Sequence, residues 1–355
     1  MKYIKNVNLW GEITDVGIEN GKFAFVGKCD EDGIDFKGAR IFPGLIDIHS
    51  HGAIGIDTMY ADFERLARFY LENGTTTWYP TTMTMPFVDI MKSAGANTLF
   101  AGGANIPGFH LEGPFINVKY KGAQNPAYVH DPDFSLVELC PTAKLITIAP
   151  ELDGAEEFIK KATDSGLVVC LGHTDADYDT AMKAFAAGAN CLTHTYNAMP
   201  GIHHRNPGPI AAGADAGAYA QLISDGRHVH PSAVRLLVKL YGPDRVVLIS
   251  DSVEAAKMPD GQYKLGGLDV VVKEGTVRTL EGALAGSSST LLDCVKCAIS
   301  FGISERDAFK MATETPATLM GLNKGKIEAG FDADFIITDE NYNLITSAAM
   351  GNLCK

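Results

Sequence analysis

The chain has 355 residues, 46% of them hydrophobic and 21% charged, with 43 acidic against 30 basic side chains. That apolar fraction can fill a large buried core, which excludes a disordered chain. The net charge of -13 excludes nucleic acid as a partner, because a phosphate backbone demands concentrated Lys and Arg, although it leaves room for one small phosphate held by a local Arg.

From the N-terminus, Met1–Trp10 alternates polar and apolar residues and has no apolar signal region. Residues 1–42 read as short strands and turns, Lys2–Leu9 and then Gly21–Val26 after an Asn20-Gly21 turn. From Pro43 the pattern changes to apolar runs alternating with amphipathic helices. The runs are Leu45–His51, Thr75–Thr82, Ile106–Glu112, Lys144–Pro150, Leu167–His173, Cys191–Tyr196, Ala220–Ser224 and Arg245–Asp251. Near-continuous apolar strands separated by helices signal a parallel sheet covered on both faces, and eight of them predict a (β/α)8 TIM-like barrel. Helices are predicted at Asp62–Glu72, ended by Asn73-Gly74, and at Asp177–Ala187, ended by Gly188. The Gly-rich, β-branched stretch from Lys257 to Gly286 reads as an inserted hairpin. The apolar stretch Leu291–Phe301 reads as a helix that carries Cys294 and Cys297 as packing residues, since no second cysteine pair accompanies them. After Ala329 the texture returns to strands. The expected organisation is therefore a small β-sandwich domain from residues 1–42 plus 324–355, flanking a barrel over 43–323.

The seven cysteines are scattered in no disulfide framework, which predicts a reducing, cytoplasmic setting. No apolar run reaches the roughly 18 residues of a membrane span, so no membrane partner is expected.

Five of the eight runs end in residues of metal-ligand type: His49 and His51, Glu112, His173, His194, and Asp251. In a parallel barrel the C-terminal strand ends meet at one mouth, so residues far apart in sequence converge there. Imidazole and carboxylate together suit zinc, iron or manganese, and a buried Glu112 is costly unless paired. A bound cation would polarise a carbonyl and acidify a water, and a carboxylate left over, for which Asp251 is the candidate, could act as general base and then acid.

Pro43-Gly44-Leu45-Ile46-Asp47-Ile48-His49-Ser50-His51-Gly52 resembles the opening motif of the amidohydrolase superfamily. Further along, His110-Leu111-Glu112-Gly113-Pro114-Phe115, Gly172-His173-Thr174, Thr193-His194-Thr195-Tyr196-Asn197-Ala198-Met199, Asp225-Gly226-Arg227-His228 and Leu284-Ala285-Gly286-Ser287 together resemble the family of N-acetylglucosamine-6-phosphate deacetylases. The resemblance implies a hydrolase that removes the N-acetyl group from N-acetyl-D-glucosamine 6-phosphate, releasing acetate, in amino-sugar catabolism. It implies a divalent metal, one ion or two, with zinc first and iron or manganese as alternatives. Glu112, His173 and His194 match the ligands of the tighter ion, His49 and His51 the pair holding a second, and Asp251 the catalytic acid/base. Asn197, the Ala198 backbone and Arg205 match the phosphate grip. His228 and Ala123 match sugar contacts, and the loop Leu284, Ala285, Gly286 matches a segment closing over the sugar. A homodimer is implied as well, with residues near the phosphate contributed by the neighbouring chain.

Two departures from the family pattern stand out. Gln124 replaces a histidine thought to polarise the scissile carbonyl, and as a neutral amide it can only donate a hydrogen bond there. Asn206 replaces a glutamate after Arg205. The alternatives are an N-acetylgalactosamine-6-phosphate deacetylase, another amide hydrolase of the superfamily, or a non-catalytic barrel.

Overall fold

The computed structural model describes residues 1–60, 62–100 and 102–354. Eight parallel strands form one sheet: Leu45–Ser50, Thr75–Thr82, Phe109–Glu112, Ala143–Ile148, Val168–Leu171, Cys191–Leu192, Tyr219–Ile223 and Val246–Ile249. Each pairs with the next in sequence, as short right-handed βα connections require. The seam between the last strand and the first is drawn together just past the strand ends. There the Asp251 amide donates to the His49 carbonyl (3.0 Å), the His51 amide donates to that of Ser252 (2.6 Å), and the Ser250 hydroxyl donates to the Asp47 carboxylate (2.5 Å). The sheet is thus a (β/α)8 barrel, and seven of its strands contribute to a cluster of Ile46, Ile48, Tyr79, Leu145, Val168, Cys170, Cys191, Ile223, Val247 and Ile249.

The helix Phe63–Glu72 buries Phe63, Leu66, Ala67 and Tyr70 at helical spacing, and Asp62 caps it by accepting the Arg65 amide. Tyr178–Ala186 is capped in the same way by Asp177. Leu291–Ser300 opens on a reciprocal capping box between Thr290 and Asp293 and buries Cys294, so the CxxC is a packing feature. Between the last barrel strand and that helix stand Gly261–Leu265, Leu268–Lys273 and Thr276–Thr279, a three-stranded antiparallel sheet rather than a single hairpin. Its first turn is Gly266-Gly267, both at positive φ, which a two-residue hairpin turn demands.

Both ends of the chain build the remaining eight-stranded sheet, in which Phe335–Thr338 pairs antiparallel with Arg40–Pro43. Its core holds Ile4, Val7, Val16, Phe23, Phe335 and Ile337. It also contains Glu12–Glu19, a strand absent from the sequence-based expectation. Asp15 and Gly17 mask its alternation. The fold accommodates both: the buried Asp15 carboxylate accepts the Asn6 and Cys29 amides and pairs with Lys5 at 3.2 Å, while a side chain at Gly17 would collide with the Phe25 ring. No helix of the described residues is long and apolar enough to cross a membrane.

Candidate active site

The barrel brings His49, His51, Glu112, His173 and His194 together at the C-terminal ends of its strands. All five are at most 5% exposed. Glu112 stands at the centre, and its two oxygens divide the histidines. Oε1 lies 3.2 Å from the Nε2 of His49, 3.2 Å from that of His173 and 3.0 Å from that of His194, while Oε2 lies 3.3 Å from His51 Nε2. His173, His194 and Asp251 each follow a strand end with φ of 48°, 28° and 47°. Backbone of that kind is costly for non-glycine residues and collects at functional sites.

The donor chemistry can be tested against a cation. His173 Nδ1 is 2.8 Å from the Tyr120 carbonyl, His194 Nδ1 is 3.2 Å from that of Asn197, and His49 Nδ1 is 2.9 Å from Gln221 Oε1. An acceptor at Nδ1 leaves the lone pair on Nε2. Those lone pairs face one another, 3.1 Å apart between His173 and His194, around an ionised carboxylate. Burial acts to raise the Glu112 carboxyl, but the histidines outweigh it and hold it well below its ordinary value. At His51 burial opposes charge, yet the Asp251 and Glu112 carboxylates win and push the pKa up to about 10. The spot calls for positive charge. Two triads, His49–His51–Glu112 and Glu112–His173–His194, share Glu112 and form a site for a divalent metal.

Asp251 stands beside this centre, 7% exposed, with Oδ1 3.4 Å from His51 Nε2. Burial raises its carboxyl pKa, and His51, His49 and His194 more than offset that, so the group is ionised. Above it opens a cavity of about 320 Å³, lined by His51, Glu112, His173, His194, Asp251, Ala123, Gln124, Asn197, Ala198, His228, Leu284 and Gly286. That volume suits a small polar ligand. His49 lies beneath His51 and outside the lining. Ala285, also outside it, is 1% exposed.

Arg205 is a further expected residue that the structure does not bring to this cavity. It sits on the exposed segment 201–206, with Nη1 2.7 Å from His204 Nε2. Gln124 occupies the mouth, but its Nε2 donates to Glu112 Oε2 (2.5 Å) and its Oε1 accepts the Thr84 amide (2.7 Å), so both ends of the amide are engaged. His228 is held by Asp225, which accepts from Nδ1 at 2.8 Å. Burial disfavours the imidazolium, but the Asp225 hydrogen bond and charge prevail and raise the His228 pKa above its ordinary value.

Sequence reasoning missed Met83, Lys119, Tyr120, Gly122, Leu265 and Ala283, which also line the cavity. Lys119 and Tyr120 lie within ten residues of Glu112 and could have been flagged on that ground. Leu265 belongs to the inserted sheet, and nothing in its local sequence marks it as facing the metal centre.

Comparison with known proteins agrees with this geometry. Residues 40–354 match the family model described as Amidohydrolase family. The chain is 35% identical to the N-acetylglucosamine-6-phosphate deacetylase of Vibrio furnissii, in an alignment covering 94% of this chain and 89% of that protein. It is 35% identical to the N-acetylgalactosamine-6-phosphate deacetylase of Escherichia coli O157:H7, covering 88% and 87%. Among solved structures it resembles the N-acetyl-D-glucosamine-6-phosphate deacetylase of Mycobacterium smegmatis, with a TM-score of 0.92 at 27% identity and full coverage of both chains.

Proposed function

We propose, from the premise that the chain belongs to the amidohydrolase family, that it hydrolyses the acetamide of N-acetyl-D-glucosamine 6-phosphate to glucosamine 6-phosphate and acetate. The observation that carries this reading is the pair of triads sharing Glu112 at the floor of a sugar-sized cavity, with Asp251 beside them. Glu112, His173 and His194 would hold one ion and His49 and His51 a second, zinc first, with iron or manganese as alternatives. Such a cation supplies a Lewis acid that polarises the acetamide carbonyl and lowers the pKa of an attacking water towards about 7.

The chain's own groups supply the rest. Asp251 takes a proton from the water on its Oδ1 side during attack and returns it to the amine, which must be protonated to leave. Gln124, with its amide spent on Glu112 and Thr84, holds the Glu112 carboxylate rather than the substrate carbonyl. His228, held by Asp225 and with its pKa raised by that carboxylate, offers a donor to the sugar, and Asn197 and Ala198 line the same cavity for the phosphate. Arg205, exposed and outside its own cavity, fits the phosphate role if the protein is a cytoplasmic homodimer in which each copy lends Arg205 to the other.

Acetate release across N-acetylated hexosamine 6-phosphates and their unphosphorylated forms tests the reading. The expected result is fastest turnover of the gluco 6-phosphate, loss of activity on chelation, and recovery on adding back zinc. Preference for the galacto epimer would transfer the assignment to the other deacetylase. Full activity after exhaustive chelation would end it.

A further inference from the structure

We propose that Gln221 is a positioning residue that sets which nitrogen of His49 faces the cation, and thereby decides whether the His49–His51–Glu112 half of the site keeps its ion. This rests on reading the barrel mouth as a two-ion hydrolase site. Gln221 lies in the seventh barrel strand, is fully buried, and takes no part in the steps above. A buried amide is costly to keep unless its polar atoms are bonded. Gln221 Oε1 accepts from His49 Nδ1 at 2.9 Å and from the His194 backbone amide at 3.5 Å, and Nε2 donates to Cys170 Sγ at 3.7 Å.

The His194 amide can only donate, so the atom turned towards it must be the carbonyl oxygen, and the amide is locked against a flip. With Oε1 in that place, His49 must carry its proton on Nδ1 and present the Nε2 lone pair to Glu112 and His51. A reversed amide would set an NH2 group against Nδ1, move the proton to Nε2 and remove His49 as a ligand. The two halves of the site therefore differ in how they are built. His173 and His194 are anchored through Nδ1 to main-chain carbonyls of Tyr120 and Asn197. In the other half, His51 Nδ1 has no partner among the described residues, and His49 depends on the Gln221 side chain. Partners of this kind typically govern metal affinity by 10–100-fold.

The test uses the full-length protein loaded with manganese(II), as wild type, Gln221→Leu and Gln221→Glu. Bound metal is counted after dialysis against graded chelator, and electron paramagnetic resonance reports whether two ions sit close enough to couple. Wild type is expected to hold two ions with a coupled spectrum. Gln221→Leu should keep one ion, lose coupling, and release the other at roughly 10–100-fold lower chelator concentration. Gln221→Glu, which keeps an acceptor oxygen, should retain both ions. A Leu variant holding two ions as firmly as wild type overturns the proposal, as does a Glu variant that loses the second ion as readily as Leu. Simultaneous loss of both ions with a lowered melting temperature would assign Gln221 to folding instead. A wild type that never binds more than one ion overturns the two-ion reading itself, and the Gln221 role with it.

Discussion

Replacing Asp251 by Asn removes one proton-accepting oxygen and changes little else. The backbone at this residue has φ of 47°, which Asn adopts more readily than other non-glycine residues. Its main-chain bonds, from the Asp251 amide to the His49 carbonyl (3.0 Å) and from the Ser287 amide to the Asp251 carbonyl (2.7 Å), do not involve the side chain. An Ala variant would lose the local polar contacts as well and confuse structure with chemistry. A positioned proton shuttle contributes about 10²–10⁴-fold, or roughly 2.7–5.5 kcal/mol of barrier at about 1.36 kcal/mol per tenfold. Asp251 also lies 3.4 Å from His51 Nε2, so the lost charge can weaken cation binding in parallel. The assay is single-turnover acetate release on protein of measured metal content. The expected result is a kcat lowered by that factor at full metal occupancy, with substrate affinity retained. Recovery of rate on adding excess metal would mean that Asp251 acts as a ligand. A metal-replete variant turning over at near wild-type speed would refute both roles.

Arg205→Ala removes a guanidinium capable of charge-assisted hydrogen bonds of about 1.5–3 kcal/mol, so KM for the phosphorylated sugar should rise about 10- to 150-fold and KM for the plain sugar little; equal effects would make Arg205 structural. Asp225→Asn removes the carboxylate that raises the His228 pKa, so the rise in KM that accompanies loss of the imidazolium should set in at lower pH than in wild type, read from KM–pH profiles. Gly286→Ala would set a methyl 2.4 Å from Val253 Cγ1 and 2.9 Å from the Asp251 carbonyl at φ 65°, costing about 1–3 kcal/mol from overpacking plus about 1–2 kcal/mol from the left-handed backbone; thermal unfolding measures it, and kcat/KM should fall with it. Lys324→Met removes the cation that meets the buried Asp334 carboxylate at 2.5 Å and leaves it the Met350 amide and the Thr77 hydroxyl, so urea unfolding should show a loss of about 3–5 kcal/mol.

Much of this could be read before any coordinates. All eight apolar runs became barrel strands, and the residues at five of their ends assembled into one centre, because inward convergence at the C-terminal mouth follows from parallel closure alone. Six of the eight runs were nonetheless longer than their strands, Thr75–Thr82 coinciding with its strand and Ala220–Ser224 matching its strand in length with a shift of one residue. Cys191–Tyr196 contains a strand of only Cys191–Leu192, because His194 and Tyr196 take φ of 28° and 78° and leave the ladder. Periodicity records what is buried, and His194 is buried and Tyr196 half-buried in an irregular turn. Glu12–Glu19 failed in the opposite sense, since a satisfied Asp15 and a Gly under an aromatic ring are tertiary facts that look like loop residues in a window.

By itself the sequence determined the fold class, the family motifs and the identity of the cluster around Glu112, since residue type and period depend only on neighbours along the chain. Only the tertiary structure decided which partner each polar atom meets. It turned Gln124 onto Glu112, held His228 through Asp225, placed Arg205 outside its own cavity, and set Gln221 behind His49 across 172 residues of chain. Hydrogen bonds and lone-pair directions are settled over about 3 Å in space, and no spacing along a sequence encodes them.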